Sequence, residues 1–262
     1  MSTKSLIKSL TFTMALSSFS FLAQAETVFT VSFEDKAQFP YYIGDSSTVL
    51  ADKPGATVEL IKRLESKIPD LKVVFQRCPV KRCLNDLETG AVDALFNLSF
   101  KESRLKVGAY PWKDGSVDTD RKLTTIKYSF YKKKGTDFGW DGTKVSGTVK
   151  TIGAPAGYSI VGDLEKIGLK VSEASSTERN MKKLAAGRVS AVALQDNKGD
   201  MIIKDPKFSN IEKVETPIKA KPYYLVISNQ FKDKNAAMAD KIWTELAELK
   251  AKEFDQIVQK YY

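Results

Sequence analysis

Val92-Asp93-Ala94-Leu95-Phe96-Asn97-Leu98-Ser99-Phe100-Lys101-Glu102-Ser103-Arg104 is the stretch on which the reading of this chain turns. Residues 92–96 form an almost unbroken apolar run shortly after Gly90, a residue suited to capping a helix. A strand covered on both faces of a parallel sheet has this pattern. The run opens into a polar loop that carries Asn97, Ser99 and Arg104. In open α/β sheets ligands bind beyond the carboxyl ends of strands. A guanidinium there, with a hydroxyl beside it, suits a carboxylate. An arginine in a polar loop is by default a solvated ion pair; the rival expectation, from its place at a strand's carboxyl end, is a grip on an acidic head group.

On the amino-terminal side, residues 27–33 are strand-like and open into a loop rich in aromatics, which includes Phe39, Tyr41 and Tyr42. Gly55 precedes a helix in which Val58, Ile61, Leu64 and Ile68 recur at helical spacing, with Leu60 widening the stripe. Residues 71–75 read as a second strand, and Val80, Cys83, Leu84 and Leu87 as the buried face of a second helix stopped by Gly90. This alternation implies parallel strands with right-handed crossovers. The end of that unit recurs later in the chain: Leu87, Gly90, Val92 and Ala94 are repeated at the same spacing as Leu184, Gly187, Val189 and Ala191. Around the second copy, residues 149–153 and 169–171 read as strands and 160–167 as a helix. Ser175-Ser176-Thr177-Glu178 reads as a capping box opening a further helix to Ala186. Between the copies, residues 125–131 look like a strand crossing to the second unit, with 222–227 as the return. Beyond Asn235, Met238, Ile242, Leu246, Leu249, Phe254, Ile257, Val258 and Tyr261 describe C-terminal helices expected to pack on the first unit.

The expected architecture is therefore α/β, with two lobes of similar design, each a mainly parallel sheet flanked by helices, joined by two hinge crossings. The divisions are 26–112 plus 226–262 for the first lobe and 113–225 for the second, with hinge segments near 112–126 and 220–226. Two crossings make a hinge rather than a tether, so the lobes can close on something held between them.

Residues 1–25 read as a cleaved signal peptide: Lys4 and Lys8 precede an apolar stretch, and Ala23-Gln24-Ala25 supplies small residues at the cleavage site. An exported protein is expected, periplasmic if the cell is Gram-negative. The segment holds no acid, so its removal lowers the formal charge from +9 to +7. The remaining lysines are scattered, with no basic stripe interleaved with aromatics, so nucleic-acid binding is disfavoured. A cleft of positive potential suits the charge better. Cys78 and Cys83 are the only cysteines, and an oxidising compartment permits a bridge between them; the rival reading is two buried thiols. The chain has no His, which argues against a zinc site.

Leu87 to Ala94, Ser99, Glu102-Ser103-Arg104 and Tyr110-Pro111-Trp112, in this order and spacing, resemble the family 3 extracellular solute-binding proteins. These are periplasmic receptors of ABC transporters, chiefly for amino acids. The resemblance covers essentially the whole mature chain and implies a two-lobed type II periplasmic-binding-protein fold. By position, Arg104 resembles the arginine that pairs with the ligand's α-carboxylate, and Ser99 the hydroxyl residue that shares this contact. Asn97 sits where the family often uses a backbone contact, Asp35 resembles an acidic residue of the first loop, and Phe39, Tyr41 or Tyr42 supplies an aromatic wall. Gly157-Tyr158-Ser159 matches the second-lobe loop that closes on the ligand. Asp196 resembles the aspartate that meets the α-amine, but only with a shift of one; unshifted, Gln195 takes that place. The chain departs from the family where its usual Thr-Pro-Glu-Arg is Lys101-Glu102-Ser103-Arg104 and where the second lobe's acid after Val is Ser190.

The resemblance implies a monomeric binding protein that takes a small carboxylate-bearing solute, foremost an amino acid, and delivers it to an ABC permease in the inner membrane. No phosphate loop, nucleophile motif or metal signature is present, so no cofactor is expected. Two rival readings use the same scaffold. One is a dehydratase-like enzyme, for which Glu173, Glu178 or a lysine would have to act as general acid or base. The other is a sensor acting through a membrane partner.

Overall fold

The computed structural model describes residues 26–262, so the proposed signal peptide lies outside the described residues. The first three strands, β1 (Thr27–Glu34), β2 (Leu71–Cys78) and β3 (Ala94–Ser99), alternate with helices α1 (Ala56–Lys62) and α2 (Val80–Thr89). A long strand, β4 (Thr124–Lys133), leads to β5 (Ile152–Pro155), β6 (Val171–Ala174) and β7 (Ala191–Gln195), which alternate with α3 (Ile160–Lys166) and α4 (Thr177–Ala185). After α5 (Asp196–Ile202) and β8 (Ile211–Lys213), strand β9 (Lys219–Ile227) returns to the first unit. The chain ends in α6 (Asn229–Lys234) and α7 (Ala236–Gln259).

The nine strands form one sheet in the order β6-β5-β7-β4-β9-β3-β1-β2, with β8 paired to β4. β1 runs parallel to β2 and β3, and β5 parallel to β6 and β7. The sheet divides at β4 and β9. Residues 124–128 of β4 pair with 219–223 of β9, and the rest of β4 pairs with β7. The second half of β9 pairs with β3. Tyr223 thus faces Thr124 on one side and Ser99 on the other, and β9 has one half in each lobe, with Tyr223 in the second core and Leu225 and Ile227 in the first.

Each lobe is a three-layer sandwich. In the first, Phe29, Val31 and Phe33 of β1 with Ala94 and Phe96 of β3 pack under α1 and α7. Leu95 and Leu98 pack under α2, with Cys83 and Leu87. In the second, Ile152, Ala154, Ala191 and Ala193 face Ile160 and Leu164 of α3, while Val192 and Leu194 face Met181 and Leu184 of α4. The repeated motif occupies equivalent places in both lobes. Leu87 and Leu184, Val92 and Val189, and Ala94 and Ala191 are all buried, and Gly90 (φ 75°) and Gly187 (φ 67°) adopt the left-handed conformation after their helices. Ser176 caps α4 by accepting from the Arg179 N–H.

Several elements differ from the sequence reading. The strand expected at 92–96 lies instead at 94–99, because Asp93 is held outside it, its carboxylate accepting from Thr30 N–H at 2.7 Å, and because β9 pairs with β3 as far as Ser99. The strands expected at 149–153 and 169–171 start later, where Ile152 pairs with Val171. The C-terminal periodicity belongs to a single 24-residue helix, α7, packed on the first lobe as expected. β8 and two short hairpins, Trp112–Lys113 with Ser116–Val117 and Gly139–Trp140 with Val145–Ser146, carry too few residues for a periodic signal.

Cys78 and Cys83 form a disulfide between the end of β2 and α2, with Cα atoms 5.5 Å apart. Closing so short a loop stabilises by about 2 kcal/mol in the chain-entropy model. Reduction is expected to lower the melting temperature by about 4–8 °C, measured by thermal melts with and without dithiothreitol.

Candidate functional site

The carboxyl ends of β1, β3, β5 and β7 converge at the lobe boundary around a cleft. Its position follows from a bulge in β3. Pairing with β9 slips by one residue between Tyr224 and Val226, and Asn97 takes a left-handed conformation (φ 54°). The extra residue breaks the two-residue alternation, so Leu95 and Leu98 both face α2 and Asn97 is turned into the cleft.

Arg104 follows in a short helical turn, Glu102–Arg104, and its guanidinium is buried. Nη1 donates to Ser99 O at 2.8 Å and Ser99 Oγ at 3.2 Å, and Nη2 donates to Gly157 O of the other lobe at 2.9 Å. Among the described residues it makes no ion pair. A buried cation without a counter-charge is costly, so an anion arriving from outside would be well received. Beside it the hydroxyls of Ser99 and Ser159 lie 2.7 Å apart across the lobes. Gly157 (φ 79°) makes this approach feasible, since a Cβ there would stand 3.2 Å from Val80 of α2.

A second bridge runs through amides. Asn97 Nδ2 donates to Gln38 Oε1 at 3.1 Å, and Gln38 Nε2 donates to Gln195 Oε1 at 2.6 Å. Gln195 Nε2 donates to the hydroxyls of Tyr223 at 2.9 Å and Tyr128 at 3.2 Å. A third bridge centres on Glu34 at the end of β1. Its Oε2 accepts from Lys198 Nζ at 2.8 Å, Tyr158 OH at 2.7 Å and Tyr42 OH at 2.8 Å. Both members of the Glu34–Lys198 pair are largely buried, with side chains 12% and 8% exposed.

Burial raises the pKa of all four cleft tyrosines, Tyr42, Tyr128, Tyr158 and Tyr223, and the Glu34 carboxylate adds to the rise at Tyr42 and Tyr158. A folded-state pKa raised above the ordinary value of about 10 stabilises the fold fully below that pH, and the contribution is lost as pH rises through the folded value. Stability should therefore fall above about pH 10, with tyrosinate absorbance from these rings growing only as the protein unfolds. An alkaline titration followed by near-ultraviolet absorbance and circular dichroism checks this.

Of the residues singled out from the sequence, Tyr42, Asn97, Ser99, Arg104, Gly157, Tyr158, Ser159 and Gln195 line the cleft. Asp35, Phe39, Tyr41 and Asp196 do not. Phe39 packs edge-on against Tyr262, and Tyr41 stacks on Phe254 and meets Thr124 through its hydroxyl. Asp196 Oδ2 accepts from Lys213 Nζ at 2.9 Å, away from the cleft. Sequence reasoning missed Glu34, Gln38, Tyr128, Tyr223 and Lys198. For the tyrosines a signal existed: two tyrosines on the crossing strands, once buried, need partners for their hydroxyls.

By sequence, the chain matches no protein-family model and no curated protein. By structure it is similar over nearly its whole length to solved binding proteins. An ancestral arginine-binding protein bound to glutamine is 19% identical, with a TM-score of 0.67 over 90% of this chain and 97% of that one. The substrate-binding protein of an amino acid ABC transporter is 17% identical, with a TM-score of 0.66 over 90% and 99%. An ancestral amino-acid-binding protein described as a precursor of cyclohexadienyl dehydratase is 14% identical, with a TM-score of 0.65 over 90% and 95%. These neighbours agree with the resemblance to family 3 solute-binding proteins, and most of them are binding proteins rather than enzymes. With its two similar α/β lobes, paired crossing strands and cleft between them, the chain has the type II periplasmic-binding-protein fold.

Proposed function

We propose that this protein is a periplasmic solute receptor that captures a small carboxylate-bearing molecule between its lobes and delivers it to an ABC-type permease in the inner membrane. The observation that carries this reading is Arg104, a buried guanidinium at the lobe boundary with hydroxyls beside it and no carboxylate of its own. Residues 26–112 with 226–262 form one lobe of the receptor and 113–225 the other; the Ser99 and Ser159 hydroxyls complete the grip, and the Gly157 carbonyl holds the guanidinium in place. The protein acts as a monomer and binds without chemistry: the acid in the cleft, Glu34, is held by a lysine and two tyrosines rather than poised for proton transfer. The structural neighbours make amino acids the first class to test, together with their deaminated counterparts.

The test is a thermal-shift screen of amino acids, small carboxylates and oligopeptides. A ligand at 100 times its Kd stabilises the fold by about 2.7 kcal/mol, a rise of roughly 5–10 °C. A stabilising carboxylate that is recovered unchanged supports the receptor. Product appearing with time would point to an enzyme, and no shift with any carboxylate would overturn the proposal. Export is checked separately: amino-terminal sequencing of the periplasmic protein should begin at Glu26.

A further inference from the structure

We infer that the ligand is a carboxylate whose other polar groups are uncharged, such as a 2-hydroxy or 2-keto acid, and not an α-amino acid. This rests on the proposal that Arg104 receives a carboxylate, and it follows from the charges around the cleft. Among the described residues only two charged ones line it, Arg104 and Glu34. An ammonium group would need an acceptor with negative charge, and Glu34 is already neutralised by Lys198. Displacing Lys198 would leave a buried lysine without its partner, which costs several kcal/mol.

Among the described residues no other acid lines the cleft. Asp196 pairs with Lys213, and Asp163 pairs with Lys221. Glu173 accepts from the Gly157 N–H behind the closing loop. At the end of β7 stands the neutral Gln195, its amide donating to two tyrosine hydroxyls. The remaining polar groups of the cleft are neutral: Gln38, Asn97, Ser99, Ser159 and the tyrosines. Asn97 Oδ1 is buried with no hydrogen-bond partner among the described residues, a neutral acceptor open to a donor of the ligand. The arrangement therefore matches one negative charge and otherwise uncharged donors and acceptors.

The experiment uses calorimetric titration with matched pairs that share a side chain: lactate against alanine, 2-hydroxyisocaproate against leucine, and phenyllactate against phenylalanine, each with its 2-keto acid. For whichever side chain fits, the deaminated members are expected to bind at least tenfold more tightly than the amino acid. Equal or tighter binding of the amino acid overturns this inference while leaving the carboxylate reading intact, provided that Arg104→Ala abolishes it. No binding by any member of any pair overturns both. Lys198→Met, which releases Glu34, is expected to shift the preference towards the amino acid about tenfold, whereas a lysine with only a structural role would weaken both members alike. Gln195→Glu, which places an acid at the end of β7, should shift the preference the same way without disturbing the Glu34–Lys198 pair.

Discussion

Arg104→Ala is expected to weaken binding of the carboxylate ligand by about 100-fold or more while the melting temperature of the ligand-free protein changes by only a few degrees. Losing one partner of a buried, hydrogen-bonded charge pair costs about 2–5 kcal/mol, and tenfold in affinity corresponds to about 1.4 kcal/mol. The fold itself should not suffer to the same degree. Without ligand, the guanidinium donates to the Ser99 and Gly157 carbonyls and to the Ser99 hydroxyl, with no ion pair to lose. Removing a buried uncompensated charge offsets much of the loss of those bonds. Arg104→Lys keeps the charge but not the two-pronged geometry, and should recover only part of the affinity. Titration calorimetry and melts of the three proteins check this; a large fall in ligand-free stability would show the arginine to be structural.

Gly55→Ala is expected to lower stability by about 3–5 kcal/mol, or roughly 10 °C in melting temperature. The first N–H groups of α1 are satisfied by the loop before it: Ala56 N–H donates to Pro40 O and Thr57 N–H to Tyr41 O, both at 2.9 Å. That loop lies directly against Gly55, whose φ is 121°, a conformation rare for residues with a Cβ. An added Cβ would stand at 2.2 Å from Tyr42 Cα and 2.5 Å from Tyr41 O, both backbone atoms without room to retreat. The displaced loop carries Gln38 and Tyr42, so binding should fall with stability. Gly115→Ala is the control. It also has positive φ, 78°, but nothing lies within 4 Å of an added Cβ, so it should cost about 1 kcal/mol. Equal melting temperatures for the two variants would contradict the close-approach argument.

What the sequence revealed and what it hid have the same physical origin. The repeated Leu, Gly, Val and Ala were legible because a buried helix end, a left-handed cap and a covered strand each restrict the residue types that fit. Arg104 and Ser99 were legible because the apolar run shows that a strand leads into this loop, although the strand ends three residues later than the run, at Ser99. Details that depend on a single residue of register were not. Successive strand residues face opposite ways, so choosing between Glu34 and Asp35, or between Gln195 and Asp196, requires knowing where β1 and β7 end; they end at Glu34 and Gln195, the two residues that line the cleft. The bulge at Asn97 was equally hidden, since it arises from pairing with β9, far away in sequence. In the aromatic loop, Gln38 bridges back to Tyr42, which turns Tyr42 inwards and leaves Phe39 and Tyr41 to pack on Tyr262 and Phe254. Lys198 looks like an ordinary helix lysine until the lobes come together.

The most direct test is a crystal structure of the protein with the best stabilising carboxylate from the screen. The account predicts density for the ligand between the lobes, its carboxylate within about 3 Å of the Arg104 guanidinium and enclosed by Ser99, Ser159 and Gln195. A ligand bound elsewhere on the molecule, or held between the lobes with its carboxylate turned away from Arg104, would contradict it.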